Sequence, residues 1–265
     1  MSMRTYPTTP RAVLGALCLS ALACSEFLAV DNPNVIDADN IDPVADATTL
    51  ANSAQQNFAA ALGWSIMYQS WFTGESQVAE TFPTRNEFGR RDVQQSNGNL
   101  NVDLWGTLST AAASTQLVLQ LALPTPTTNI NFVRSALWRG YSFVLMAETF
   151  CSGTVDAGPE LTTTAMVDSA VANFTRAITI GAANGTADAV ALANAARVGR
   201  ARAQLPGGRK AEALSDAHAV PAGFSFTLAY IDDLANRNRL GNRLWQFTLD
   251  RGSISVSPAF RLADP

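Results

Sequence analysis

Residues 133–151 read VRSALWRGYSFVLMAETFC, and the fold follows from how that stretch is read. Apolar or small side chains recur at Val133, Ala136, Leu137, Gly140, Val144, Ala147 and Cys151. Steps of three and four residues mark one face of a helix. The opposite face carries Trp138, Leu145 and Met146, with only Arg134, Arg139 and Glu148 charged. A helix apolar nearly all round needs cover on both sides, so it is expected at the centre of a helical array. Gly140 costs about 1 kcal/mol of helix propensity against Ala, which predicts close approach of a neighbouring helix. Cys151 falls on the apolar face and reads as a small buried residue.

Working outward, the flanks have the same period. Asp42-Pro43 looks like a helix start, a capping side chain before a proline that needs no N–H donor. Ala47, Leu50, Ala51, Ala54, Phe58, Ala61 and Leu62 follow at helical spacing until Gly63, where the helix is expected to end or relax. Trp64, Ile66, Met67, Trp71 and Phe72 then suggest a second, shorter piece. Residues 81–101, TFPTRNEFGRRDVQQSNGNLN, are polar, with Pro83, Gly89 and Asn97-Gly98, and read as a long loop. Helical spacing returns over residues 102–119, and a Gly/Pro/Thr loop is expected at 152–164. Further helices are expected over 165–183, from 188 to Pro206, and over 209–219. Arg197, Arg200 and Arg202 read as a solvated set suiting the dipole at a helix C-terminus. Beyond Pro221 the alternation of Phe224, Phe226 and Leu228, and of Ile254 and Val256, allows short strands. The fold class is therefore mainly α, helical hairpins with long irregular loops and a few short strands near the C-terminus. The helix, turn, helix unit of residues 188–219 loosely resembles a tetratricopeptide-type hairpin, without a strict repeat.

At 265 residues, 47% hydrophobic and 15% charged, the chain suits a packed body rather than disorder. Its net charge of −4 argues against nucleic acid as a partner, and the balance becomes more acidic if residues 1–23, with Arg4 and Arg11, are removed. That leader has basic residues, an apolar run from Ala12 to Ala23 too short to span a bilayer, then Cys24-Ser25-Glu26. It resembles a bacterial lipoprotein signal, in which Cys24 would be lipidated and become the first mature residue. An ordinary cleaved signal or a misassigned start is the other reading. Acyl chains worth about 0.8 kcal/mol per buried CH₂ would hold the protein to a membrane. Asp31, Asp37, Asp39, Asp42 and Asp46 lack the spacing of a calcium loop and read as solvated carboxylates, so no metal is expected.

Cys24-Ser25-Glu26-Phe27-Leu28, Asn32-Pro33-Asn34, the run RGYSFVLMAETFC at 139–151 and VGRARAQLPGGRKAEALSDAHAVP at 198–221, followed by Phe224, occur in an order that resembles the SusD/RagB-like outer-membrane lipoproteins. The resemblance spreads over most of the chain. It implies a signal peptide at 1–23, a helical body of tetratricopeptide-like hairpins from 24 to 265, and display at the cell surface on a lipid anchor. It also implies capture of glycans or other nutrients for a TonB-dependent transporter. Family members are considerably longer, so the body is expected to be incomplete at its C-terminus.

Enzyme signatures such as HExxH, GxSxG, CxxC, GxxxxGK[ST] and GxGxxG are missing from the sequence, which points away from catalysis or a cofactor. The single histidine, His218, sits among alanines and reads as a packed or rim residue. Glu75 and Glu80 form a carboxylate pair whose separation the sequence does not fix. Sugar binding needs flat aromatic faces with amides, carboxylates or guanidinium groups beside them, and residues 71–91 have that mix. The candidate ligand-binding set is Trp71, Phe82, Arg85, Asn86, Glu87 and Phe88, with Arg91 nearby. For Trp71 core packing is the competing reading, whereas Arg85 and Phe88 are expected on the exposed loop. Trp105 and Trp138 fall on apolar faces, and Trp245 can be assigned to neither core nor surface. The alternative to a nutrient-binding lipoprotein is a tetratricopeptide-like envelope scaffold that binds another protein and no glycan.

Overall fold

The computed structural model describes residues 41–233 and 235–260 and is mainly helical. Cys24, the leader and the carboxylates Asp31, Asp37 and Asp39 lie outside the described residues. In chain order the longer helices are α1 (Ala47–Thr73), α2 (Pro83–Arg90), α3 (Thr107–Leu119), α4 (Ile130–Thr149), α5 (Thr163–Asn184), α6 (Ala187–Gln204) and α7 (Lys210–Ala219). A π-helical turn, Leu100–Gly106, leads into α3, and two short helical turns, Arg237–Leu240 and Arg243–Trp245, follow the array. No described helix is long and apolar enough to cross a membrane.

Helix α4 is the central element expected from its all-round apolar surface. It packs against α1, α3, α5 and α6, and its buried residues run from Asn131 through Met146 on every side. Asn129 starts it by accepting from the Asn131 N–H, and Phe150, extended, stops it. Gly140 faces α5 as its helix-propensity cost foretells: a Cβ there would lie 2.6 Å from the Phe174 ring. Gly199 of α6 closes the other side, where a Cβ would meet the same ring at 2.5 Å. Phe174 is fully buried between two glycines of two helices, and burial of such a side chain stabilises by about 1.5–3 kcal/mol. Gly185, at φ 72°, ends α5, and Thr186 caps α6 by accepting from the Ala189 N–H. The antiparallel run of α5, α6 and α7 is the expected paired-helix body.

Several expectations are corrected. Helix α1 does not break at Gly63 but continues to Gly74, which at φ 82° supplies the left-handed cap. Gly63 instead lets Arg243 lie against the helix, where a Cβ would come within 2.7 Å of the arginine Cγ. Asp42 caps a turn rather than α1 itself, accepting from the Val44 and Ala45 N–H groups, and these bonds hold its carboxyl below the usual range. The 81–101 loop contains α2, begun by Pro83 and anchored by buried Phe88. Residues 152–162 form a hairpin, β2 (Ser152–Thr154) with β3 (Glu160–Thr162), whose turn residue Asp156 pairs with Arg139 of α4. Because α4 ends before it, Cys151 is exposed rather than buried. The arginines of α6 are not a solvated dipole set. Arg200 grips Asp216 of α7 through two bonds of 2.8 and 2.5 Å, and Arg202 grips Glu148 of α4 through two of 2.8 and 2.6 Å.

The expected late strand exists: β4 (Ile254–Val256) pairs antiparallel with β1 (Ser76–Val78), Val78 opposite Ile254. Phe224, Phe226 and Leu228 form no strand, contrary to the alternation; Phe224 and Leu228 pack on the helical core.

Candidate functional site

The residue types expected at 71–91 are present, but local structure occupies most of them. Trp71 is 1% exposed and Phe88 4% exposed, both in a cluster with Met67, Tyr68, Leu104 and Phe247. The core reading of Trp71 therefore holds, and Phe88 is not the exposed loop aromatic it was expected to be. Period hides this, because the residues covering Phe88 come from elsewhere in the chain. Arg85 is also not exposed: its guanidinium bonds Glu80 at 2.7 Å and lies over the Phe82 and Phe247 rings at 4.8 and 4.9 Å. Asn86 donates to the Glu80 and Phe82 carbonyls, and Glu87 accepts from the Gln94 N–H and the Asn97 amide. Arg91 donates to the Phe72 and Thr73 carbonyls at the end of α1. Of the set, Phe82 alone keeps a largely solvent-facing ring, 55% exposed.

Beside this region a cavity of about 450 Å³ opens between the ends of α1 and α4, with Phe72, Phe88, Phe150, Gln69, Glu148 and Cys151 on its wall. Gln69 is already spent on Thr149 at 2.8 Å, so the surface it offers is chiefly apolar.

The combination sought on the loop recurs near the C-terminus. A cavity of about 490 Å³ is bordered by Tyr230, Asp232, Arg237, Asn242, Trp245 and Thr248. Each ring is held from behind. Tyr230 donates its hydroxyl proton to the Ala59 carbonyl of α1 at 3.0 Å, and burial raises its phenol above the ordinary tyrosine value. Asn242 accepts from the Trp245 N–H at 3.1 Å, which starts the turn carrying the indole. The Arg237 guanidinium sits 5.7 Å from the Trp245 ring and pairs with Asp250 at 3.1 Å. A half-buried indole, a phenol ring, a carboxylate, an amide and a guanidinium thus meet around one opening. Chemically this set can stack a ring and hydrogen-bond hydroxyls. Sequence reading left Trp245 unassigned. The available signal was the Asn242-x-x-Trp245 spacing, a cap that fixes the aromatic, next to Asp232 and Arg237.

Among the described residues, no group of three His, Cys, Asp or Glu side chains is arranged to hold a metal ion. His218 lies exposed on α7. Compared with known protein families, with curated proteins and with solved structures, the chain has no match.

Proposed function

We propose that the protein is a ligand-capturing lipoprotein of the SusD/RagB-like kind, tethered through Cys24 to the outer membrane and facing outward. It would bind a glycan or other polyhydroxylated nutrient without transforming it and pass it to a TonB-dependent transporter. The observation that carries the reading is the Trp245 cavity, where ring faces and hydrogen-bonding groups converge around one opening. The sequence runs that resemble the family and the paired-helix body support it as well.

The test is an oligosaccharide array followed by calorimetry on the lipid-free protein. Saturable binding to at least one class is expected, lost in Trp245→Ala and kept in Phe82→Ala. Binding that survives Trp245→Ala, or no binding to any oligosaccharide, would remove the reading. Radiolabelled palmitate should enter the wild-type chain in cells and fail to enter Cys24→Ala. The scaffold alternative draws on Val190, Val198, Leu205 and Leu214, exposed along α6 and α7 and the turn between them. It predicts instead an envelope protein that co-purifies and is released when these side chains are made polar.

A further inference from the structure

A third cavity, of about 310 Å³, lies between α1, α4, α6 and the irregular residues 224–228. Phe58, Trp138, Tyr141, Phe224 and Phe226 give it an aromatic wall, and Leu62, Leu145, Val198 and Leu228 fill the gaps. The rings are fixed in place. Phe58 stacks on Trp138 at 4.8 Å, the Trp138 N–H donates to Gln55 at 3.3 Å, and the Tyr141 hydroxyl donates to the Ala195 carbonyl at 3.1 Å. Phe226 approaches Trp138 from the irregular segment at 6.0 Å and is 41% exposed, so the opening runs alongside it.

One charged group borders this apolar space, Arg202. Its Nε and Nη2 are engaged by Glu148, whereas its Nη1 has no acceptor among the described residues. Glu148 itself borders the separate cavity at the end of α1, so no carboxylate lines the aromatic one. A ligand ring buried here would find aromatic faces, and an anion on it would find a planar cationic donor with no opposing charge inside. A neutral sugar would strand its hydroxyls against carbon, at a cost of about 1–3 kcal/mol for each unpaired group.

The geometry points to a second binding site, for a small aromatic carboxylate, with the ring against Trp138, Tyr141 and Phe226 and the carboxylate on Arg202 Nη1. It is independent of the Trp245 cavity and stands whether or not that cavity takes a glycan.

The experiment is calorimetry of the full-length protein with 2-naphthoate and with its neutral counterpart, 2-naphthylmethanol. Naphthoate should bind saturably, about tenfold more tightly than the alcohol, the size of an ordinary charge-assisted hydrogen bond. Arg202→Met should remove that preference and leave the alcohol's weak binding in place. Glu148→Gln should tighten naphthoate by roughly threefold, since it removes the anion that competes for the guanidinium. Phe226→Ala, at a half-exposed position, should weaken both probes, and Trp245→Ala should change neither. Equal binding of the two probes, a preference that survives Arg202→Met, or no naphthoate binding at its solubility limit would overturn the proposal. Circular dichroism of each variant separates loss of the site from loss of the fold, and Glu148→Gln gives a gain that unfolding cannot imitate.

Discussion

The α4–α5–α6 array and the patch where residues 64–104 meet residues 237–256 hold their rings by different means. In the array, Phe174 is enclosed by glycines and apolar side chains, and fit alone locates it. In the patch, Trp64, Phe82 and Phe247 are bridged by guanidinium groups: Arg85 over all three, Arg243 over Trp64 at 4.4 Å, and Arg251 over Phe247 at 5.4 Å. Beneath them Tyr68 donates to Asp103 at 2.5 Å, and Asp103 also accepts from Asn99. A close-packed interior responds steeply to volume, whereas a cation over rings responds to charge and stem length. The two regions should therefore fail differently.

The largest effect is expected from Phe174→Ala, about 4 kcal/mol of unfolding free energy by urea titration, because two glycines cannot collapse into the space. Gly140→Leu should cost about 3 kcal/mol by the opposite route, overpacking the same contact. A small loss in both would mean that the array has slack and that the contrast is false. Arg85→Ala should come next, at about 2 kcal/mol, leaving Glu80 half-buried without its partner. Hydrogen exchange should then quicken in β1 and β4 and hardly change in α5 and α6. Exchange quickening throughout would mean that the two regions unfold as one.

A pH series sharpens the comparison further. Burial, and then the bond and charge of Asp103, raise the Tyr68 phenol well above the ordinary tyrosine value. The unfolded chain therefore gives up that proton near pH 10 while the folded chain keeps it. Stability from Tyr68 is full below about pH 10 and falls as pH rises beyond it. Tyr68→Phe should flatten the alkaline decline of the urea midpoint without abolishing it, since Tyr141 and Tyr230 are raised as well. An unchanged decline would remove Tyr68 from the account. The smallest effect belongs to Arg202→Met. The pair with Glu148 is half-exposed, so its loss should cost no more than about 1 kcal/mol.

The same difference explains what could be read from the chain. Periods of three and four residues mark α4, α5 and α6 because each buries a face of its own residues against an adjacent helix. Gly140 was readable for that reason: its cost within one helix implied a close neighbour. The patch offers no such period. Phe88 looked like a loop aromatic because Phe247 and Tyr68, which share its cluster, lie far off in the chain. Arg85, Asn86 and Glu87 looked free because their acceptors and donors are mostly loop backbone and loop side chains, which no periodicity predicts. Cys151 was misplaced by a helix boundary of two residues, and the α6 arginines by partners on other helices. The mix of residue types sought at 71–91 recurs around Trp245, where no periodicity marks it, because the exposure of Trp245 depends on turns that only the folded chain reveals.

The pairing of Val78 with Ile254 sets an order of events as the chain folds. The α4–α6 array can condense early, because its contacts join helices that follow one another in sequence. The strand β1 and the aromatic surface beneath Phe247 must wait, uncovered, until a segment far along the chain arrives to close a long loop. During that interval the folding chain would offer an unpaired edge and oily rings to any chaperone escorting it.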